Sequence, residues 1–378
     1  MTDQATITAT KHEVANYHAA VDLAFDAGWS DGLPIVPPTE PLIRACLDAI
    51  QLDPTDVVIE IPERGRTITA EKLAINAVMA GCRPEYLPVL VAILEAMIDP
   101  RYHFNHIASM GSAWPLTIVN GPVAERLGIN SGLYLFGPGH RANLTIARGL
   151  SLTLRNCAGA KVEDTQRGGW GNPIRMVGCI AENEDLGWTP LHVQRGFAQE
   201  DSVVTVVSVY PGSPVHINVN ERGNSPEIML DSVSHAIANY GGAIFNRGPY
   251  TLLIGPHYVE LFTKQGWSKD DVRNYIFDHA KTSVELLKQR HVWAKHWTHV
   301  TPDELEVKPG DDKRFVYLFK KDPEYDKYVS WPIALQDNYD RDLDLYVVGC
   351  GGNGGSRVGL MVPNYVSTNA VSRKIRVP

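Results

Sequence analysis

The sequence predicts an α/β fold of mixed, largely parallel sheets with flanking helices. Three observations carry that expectation. Apolar, β-branched runs alternate with segments of helical periodicity, the pattern of strands joined by crossover helices. A strand, Gly-Pro, helix, Gly phrase occurs twice, at 115–128 and at 250–266. A third apolar run, Leu343 to Val348, ends on Gly349-Cys350-Gly351-Gly352.

The elements follow in order. Tyr17, Ala20, Val21, Ala24 and Phe25 recur at helical spacing, so a helix is predicted over 11–28, ended by Gly28. The next segment, with Asp31-Gly32 and its prolines, must be loop. A helix near 39–50, a strand at 57–61 and a helical hairpin over 69–80 and 84–98 come next. Strands are expected at 115–119, 174–181, 203–209 and 215–219, with a helix at 140–156. Helices near 226–240, 269–280 and 283–294 and strands near 315–319 and 343–348 complete the pattern, before a β-rich tail. In the repeated phrase, proline falls in the first helical turn, where its missing N–H has no partner to lose. This leaves two alternatives: an N-terminal helix (1–30) before two related βα halves near 31–200 and 201–378, or a short coincidence within one body.

The chain has 378 residues and a formal net charge of −8, with 44% hydrophobic and 21% charged residues. The acidic balance argues against broad binding to a nucleic-acid backbone. Met1-Thr-Asp-Gln-Ala-Thr has neither a basic start nor an apolar core, so no secretory signal is expected. No apolar run reaches the roughly 18 residues of a membrane span. Cys46, Cys82, Cys157, Cys179 and Cys350 are widely spaced and form no C-x-x-C, which fits reduced, cytoplasmic thiols.

Several groups could carry chemistry. Gly349-x-Gly351-x-x-Gly354 matches a dinucleotide fingerprint by spacing, but the following Ser356 to Val362 reads as extended rather than helical. A pocket-lining loop with Asn353, Ser356 and Arg357 as polar contributors is one reading, a plain turn the other. Arg141, Arg148 and Arg155 lie seven apart, hence on one helical stripe, behind Gly137-Pro-Gly-His140. With Asn143 they could hold an anion, or they could form a solvated or intersubunit face. Cys179-Ile-Ala-Glu182-Asn-Glu184 presents a thiol and two alternating carboxylates. On a strand the two glutamates would share a face, and two nearby like charges can separate into an acid and a base. His192 could complete a proton relay, or pair with Cys179 as a nucleophile. The bland alternative is a buried cysteine beside loop carboxylates. His103/His106 and His296/His299 have the spacing of paired ligands on a helix but lack an accompanying carboxylate. Trp293 and Trp297 around the second pair suggest packing or an interface instead. No P-loop and no G-x-S-x-G is present.

A set of phrases spanning about Ser30 to Arg373 resembles one family. They are Ser30-Asp-Gly-Leu-Pro-Ile-Val-Pro-Pro-Thr39, Ala74-Ile-Asn-Ala-Val-Met-Ala-Gly-Cys82, Ile118-Val-Asn-Gly-Pro122, Leu127-Gly-Ile-Asn-Ser-Gly132, Phe136-Gly-Pro-Gly-His-Arg-Ala-Asn143, Ala181-Glu-Asn-Glu184 and Gly266-Trp-Ser-Lys-Asp-Asp-Val272. The chain looks like the large domain or subunit associated with UGSC-motif (seleno)proteins, where U is selenocysteine. The resemblance implies a redox-active thiol or selenol in a separate, smaller domain. This chain contains neither U-G-S-C nor C-G-S-C, so a small partner protein would have to supply it.

Three functions follow as expectations. The first is a cytoplasmic, lyase- or hydratase-like enzyme on a small anionic organic molecule. Asn120, Arg141, Asn143 and Arg148 would hold the substrate; Glu182 or Glu184 would move a proton with help from His192. The second is the substrate-binding subunit of a thiol- or selenol-dependent reductase. The third is a non-catalytic binding or assembly protein, with Trp293, Trp297, Trp331 and Tyr339 as an aromatic face. No cofactor or metal is expected, and a homo-oligomer is.

Overall fold

The computed structural model describes residues 5–107, 112–162, 164–210, 212–216, 225–239, 249–291, 293, 301–319, 345–353, 357–363 and 369–376. The chain divides into two compact units. Unit 1 comprises Met1–Glu182, Pro190–Pro211 and Ala370–Pro378; unit 2 comprises Asn183–Thr189 and Gly212–Asn369. The chain passes from unit 1 to unit 2 twice, after Glu182 and after Pro211, and returns to unit 1 twice.

Unit 1 begins with α1 (Tyr17–Asp26) and α2 (Glu40–Asp48), then the hairpin of β1 (Val57–Ile61) and β2 (Arg66–Thr69). The apolar pair α3 (Ala70–Ala80) and α4 (Leu87–Met97) follows, turned at Gly81. β3 (Trp114–Asn120) leads through Gly121 into α5 (Pro122–Leu127), and α6 (Arg141–Cys157) is the longest helix of the unit among the described residues. α7 (Ile174–Val177), β4 (Cys179–Ala181), α8 (Leu191–Gln194) and β5 (Val203–Val209) complete its central part. Pro173 starts α7, so the strand expected over 174–181 shortens to three residues. α6 crosses α3 closely at Gly149, where a Cβ would stand 3.2 Å from Cys82 Sγ.

Unit 2 contains β6 (Ser213–His216), α9 (Pro226–Asn239), β7 (Tyr250–Ile254), α10 (Pro256–Lys264), α11 (Lys269–His279), β8 (Lys281–Ser283), α12 (Val284–Gln289), α13 (Pro302–Leu305), β9 (Phe315–Tyr317), β10 (Leu345–Gly349) and β11 (Arg357–Met361). β12 (Val371–Lys374) belongs to unit 1 again.

Each unit has one four-stranded mixed sheet, ordered β4-β3-β5-β12 in unit 1 and β10-β7-β11-β6 in unit 2. In both, the first pair is parallel and the next two are antiparallel. The α/β class stands, but antiparallel pairs outnumber parallel ones among the described strands, contrary to the expected parallel majority. In unit 1 the antiparallel neighbours of β5, β3 and β12, come from distant parts of the chain, so the antiparallel pairing is made by long connections rather than by hairpins. β3 and β5 are buried along their whole length, as their Val/Ile runs require. In each sheet the second-position strand, β3 or β7, is the one followed by Gly-Pro and a helix. The repeated sequence phrase thus marks the same place in two sheets of one pattern. No single helix among the described residues is long and apolar enough to cross a membrane.

The arginine stripe of α6 fixes the loop that follows α1. Arg148 meets Asp31 through two hydrogen bonds of 2.9 Å and also donates to the Leu33 and Pro34 carbonyls. Both side chains of this ion pair are only 12% exposed. Burial alone would raise the Asp31 carboxyl, but the hydrogen bond and charge of Arg148 and the Leu33 N–H outweigh it and hold the group below its ordinary value. A carboxyl depressed in the folded state stabilises the fold above its unfolded pKa and loses that contribution as pH falls through the folded value. Asp31→Asn is therefore expected to lower the stability measured by urea unfolding at pH 6–8, with the difference from wild type shrinking below about pH 4. Arg148→Met, which strands a mostly buried carboxylate, is expected to cost about 3 kcal/mol at pH 7. Equal unfolding midpoints at pH 7 would contradict both.

Candidate functional site

The parallel pair β3 and β4 delivers two polar side chains where it ends. Asn120 is the last residue of β3, and Glu182 follows β4 directly; both are buried. Carboxyl ends of parallel strands are where α/β sheets most often place ligands, because the chain must turn there into loops. The Glu182 N–H continues the ladder to the Val119 carbonyl at 3.2 Å, which sets the side chain's departure point.

Two donors converge on one carboxylate oxygen. Asn120 Nδ2 and the Leu191 N–H each donate to Glu182 Oε2 at 2.7 Å. This holds the carboxyl group in a single orientation in a buried setting. Leu191 opens α8, and His192 is wholly buried on it. His192 Nε2 lies 3.3 Å from the Gln199 carbonyl. A carbonyl only accepts, so the proton sits on Nε2, and in the neutral ring Nδ1 is the basic nitrogen. Asp201 stands near this histidine. The hydrogen bond from Lys374 lowers the Asp201 carboxyl below its usual range against desolvation, with help from the Ala198 N–H and the Lys374 charge.

The turn after β3 needs its glycine. Gly121 has φ +82°, and a Cβ there would come within 2.1 Å of the Asp201 carbonyl oxygen. The Ser202 hydroxyl accepts the Val123 N–H at 3.1 Å, so the 198–202 segment closes directly on this turn.

A relay of hydrogen bonds links the site to the start of α6. The Asn130 carbonyl accepts the Ala181 N–H at 3.1 Å, beside Glu182. The same carbonyl accepts Asn143 Nδ2 at 3.1 Å, while Asn143 Oδ1 accepts the Asn130 N–H at 2.7 Å. The first turn of α6 is thereby fastened to the strand that carries Glu182. Asn130 acts through its backbone, as do Leu191 and Gln199, so residue type left no signal of their parts.

The structure brings Asn120, Glu182, Asn143 and His192 into one connected region of unit 1. The other candidates stand elsewhere. Arg148 is committed to Asp31. Arg141 donates Nε and Nη2 to the Gly81 carbonyl at 3.3 and 3.0 Å and is exposed at the start of α6. Arg155 Nη2 reaches the Gly28 carbonyl at 3.5 Å, so the stripe serves largely as a clasp on neighbouring backbone. β4 ends at Ala181, and Asn183 instead accepts the Asp185 N–H at the start of a 3-10 turn, Glu184–Leu186. Glu182 and Glu184 are therefore not alternate positions of one strand, and Glu184 falls in unit 2.

Asn353 lies in unit 2, where its Oδ1 accepts the His257 N–H at 3.0 Å in the first turn of α10. β11 starts at Arg357, so a strand follows the glycine-rich loop. Ser356 and the Arg357 side chain lie outside the described residues. His103 is the left-handed residue (φ +55°) between two 3-10 turns, Pro100–Tyr102 and Phe104–Ile107, and His106 sits in the second, so the α-helical face assumed for this pair does not exist. The His106 side chain, His296 and His299 fall outside the described residues. No group of three His, Cys, Asp or Glu among the described residues could hold a metal. Trp293 is buried in unit 2 near Lys288 and Arg314 rather than on an open face; Trp297, Trp331 and Tyr339 are not among the described residues.

Cys179 is unsuited to nucleophilic attack. It is fully buried on β4, and burial pushes its thiol up to about 12, only partly offset by Thr117. Burial likewise raises Cys46 and Cys82 to about 12 and Cys157 to about 11.

No protein-family model, curated protein or solved structure matches this chain.

Native protein treated with iodoacetamide at pH 8 should leave Cys46, Cys82 and Cys179 unmodified for hours, while guanidinium-unfolded protein is alkylated at all three. Peptide mass spectrometry reads the pattern. Fast alkylation of Cys179 in the native state would restore it as a candidate nucleophile.

Proposed function

We propose that the chain is an enzyme that uses Glu182 for acid–base chemistry on a small anionic organic molecule. The observation that supports this reading is the buried Glu182 carboxylate at the carboxyl ends of β3 and β4, oriented by two 2.7 Å hydrogen bonds to the same oxygen. A fixed carboxylate away from bulk water is suited to removing a proton beside an activated carbon. Asn120 positions it, and His192 is the second proton carrier. Elimination or addition of water is the simplest outcome of such a proton transfer, which makes the reaction lyase- or hydratase-like. The shared pattern of the two sheets favours related βα halves, with the glycine-rich loop after β10 as the counterpart of the Glu182 turn.

A second reading is favoured by a different observation. Four of the five cysteines have thiols raised to about 11 or 12, so the chain offers no poised thiolate among them. If the reaction runs on a thiol or selenol, as the resemblance to UGSC-associated chains implies, a small partner protein would supply that group.

The test is proton exchange. Incubation in D2O with a panel of 2- and 3-hydroxy carboxylic acids, read by proton NMR, should show deuterium entering a carbon next to a carboxylate in at least one compound. Glu182→Gln keeps an oxygen able to accept both hydrogen bonds, so it should fold normally and slow exchange at least 100-fold, the lower range for a lost general base. Exchange at the wild-type rate in a folded Glu182→Gln variant would remove the residue from the chemistry.

A further inference from the structure

We propose that unit 1 holds a second, separate binding site, for a compact aromatic molecule that carries a hydrogen-bond donor. The site is a cavity of about 760 Å³ bounded by the N-terminal segment, α1, the loop before α2, α3 and α6. That volume lies within the roughly 300–1,000 Å³ of small-molecule pockets. Ile7, Leu23, Trp29, Ile35, Ile43 and Met79 supply apolar wall. The Trp29 and His12 rings stand 5.4 Å apart at a tilt, and both line the cavity, so a flat ring entering there meets aromatic faces.

One wall is polar, and its polarity is directional. Asn156 Nδ2 donates to the Trp29 carbonyl at 2.9 Å and to Asn76 Oδ1 at 2.7 Å. Asn76 Nδ2 in turn donates to the Lys72 carbonyl at 2.8 Å. These bonds fix both amides by their partners: the carbonyls can only accept, so the amide nitrogens must point at them. The Asn156 nitrogen is thereby committed to the protein. Its oxygen accepts no hydrogen bond from the described residues, and Asn156 lines the cavity. A donor on the occupant would complete the bonding of that oxygen.

The walls are held apart individually. Glu71 is 3% exposed, and its carboxylate accepts the Thr8 N–H, the Thr8 hydroxyl and the Ala9 N–H at 3.2, 2.7 and 2.6 Å. Removing a carboxylate from water is costly by several kcal/mol unless such bonds compensate. Here the compensating donors all belong to the segment that forms one side of the cavity. Arg44 Nη1 holds the Ala5 carbonyl at 3.2 Å, Lys11 meets Glu40 at 2.7 Å, and the Tyr17 hydroxyl donates to the Ile35 carbonyl at 3.1 Å. A concavity whose sides are tethered to separate anchors is preorganised, so a ligand need not pay to order it.

The probe is N-phenyl-1-naphthylamine, a neutral aromatic amine whose fluorescence rises in apolar surroundings. Titrated into the full chain, it should bind saturably at one site per chain. Ala20→Trp projects an indole from α1 into the cavity and should weaken binding at least tenfold with an unchanged far-UV circular dichroism spectrum. Trp29→Ala retains the backbone carbonyl that Asn156 uses and should also weaken binding at least tenfold, so the test survives if one variant misfolds. 1-Phenylnaphthalene, which lacks the N–H, should bind at least threefold more weakly to wild type. Absence of saturable binding, or wild-type affinity in a folded form of either variant, would overturn the site. Equal affinity for the two dyes would overturn the assignment of the donor.

Discussion

The constraint on which much of unit 1 depends is the pair of faces on α6. One face must come close enough to α3 that position 149 is glycine, with Cys82 Sγ and Leu90 occupying the space a side chain would need. The polar face then has to satisfy guanidinium and amide groups that sit against neighbouring backbone. Arg148 does so with Asp31, Arg155 and Arg141 with the carbonyls of Gly28 and Gly81, Asn143 with Asn130, and Asn156 with Trp29. A single helix thus sets the loop after α1, the turn beside Glu182 and the polar wall of the cavity. Its first turn is coupled to the candidate catalytic carboxylate and its last to the proposed aromatic site.

The sheets share a second constraint. A parallel pair ends in loops on one side, and an antiparallel partner seals the next strand. In unit 1 the loops after the parallel pair bear Asn120-Gly121-Pro122 and Glu182. In unit 2 the matching loops bear Gly255-Pro256 and Cys350-Gly351. The Cys350 N–H extends the ladder to the Ile254 carbonyl at 2.9 Å, as the Glu182 N–H does to Val119. One frame therefore presents a carboxylate in one place and a thiol-bearing glycine loop in the other. The residues at the matching strand ends differ, and so do the glycines that follow β3 and β7, with φ +82° at Gly121 and −67° at Gly255.

Much of the secondary structure was legible because its signals are local. Gly121-Pro122 and Gly255-Pro256 mark helix starts, and runs such as Val203 to Val209 leave little choice but a buried strand. The failures are local too: Pro173 and Gly178 bracket a helical turn, and the apolar residues between them imitate a strand. Asn120 and Glu182 could be read as candidates because they terminate strands. Their partners could not, since Leu191, Asn130 and Gln199 contribute only backbone. The stripe spacing correctly put three arginines on one side of α6, but periodicity says nothing about Asp31, which meets Arg148 across 117 positions of chain. Glu71 did leave a signal. It stands on the buried side of α3 with Ala70, Leu73 and Ala74, a place where a carboxylate requires dedicated donors.

The return of the chain to unit 1 has a consequence for how the protein is made. β12 closes the sheet beside β5, yet about 160 residues separate the two strands. At translation rates of roughly 5–20 residues per second, that interval lasts about 10–30 s. Throughout it, the Val-rich β5 has emerged while the strand that covers its edge has not been synthesised. Such an edge is a template for pairing with other chains. A chaperone acting on the nascent polypeptide would find its most exposed target there, and ribosome stalling within unit 2 would turn a late delay into aggregation of unit 1.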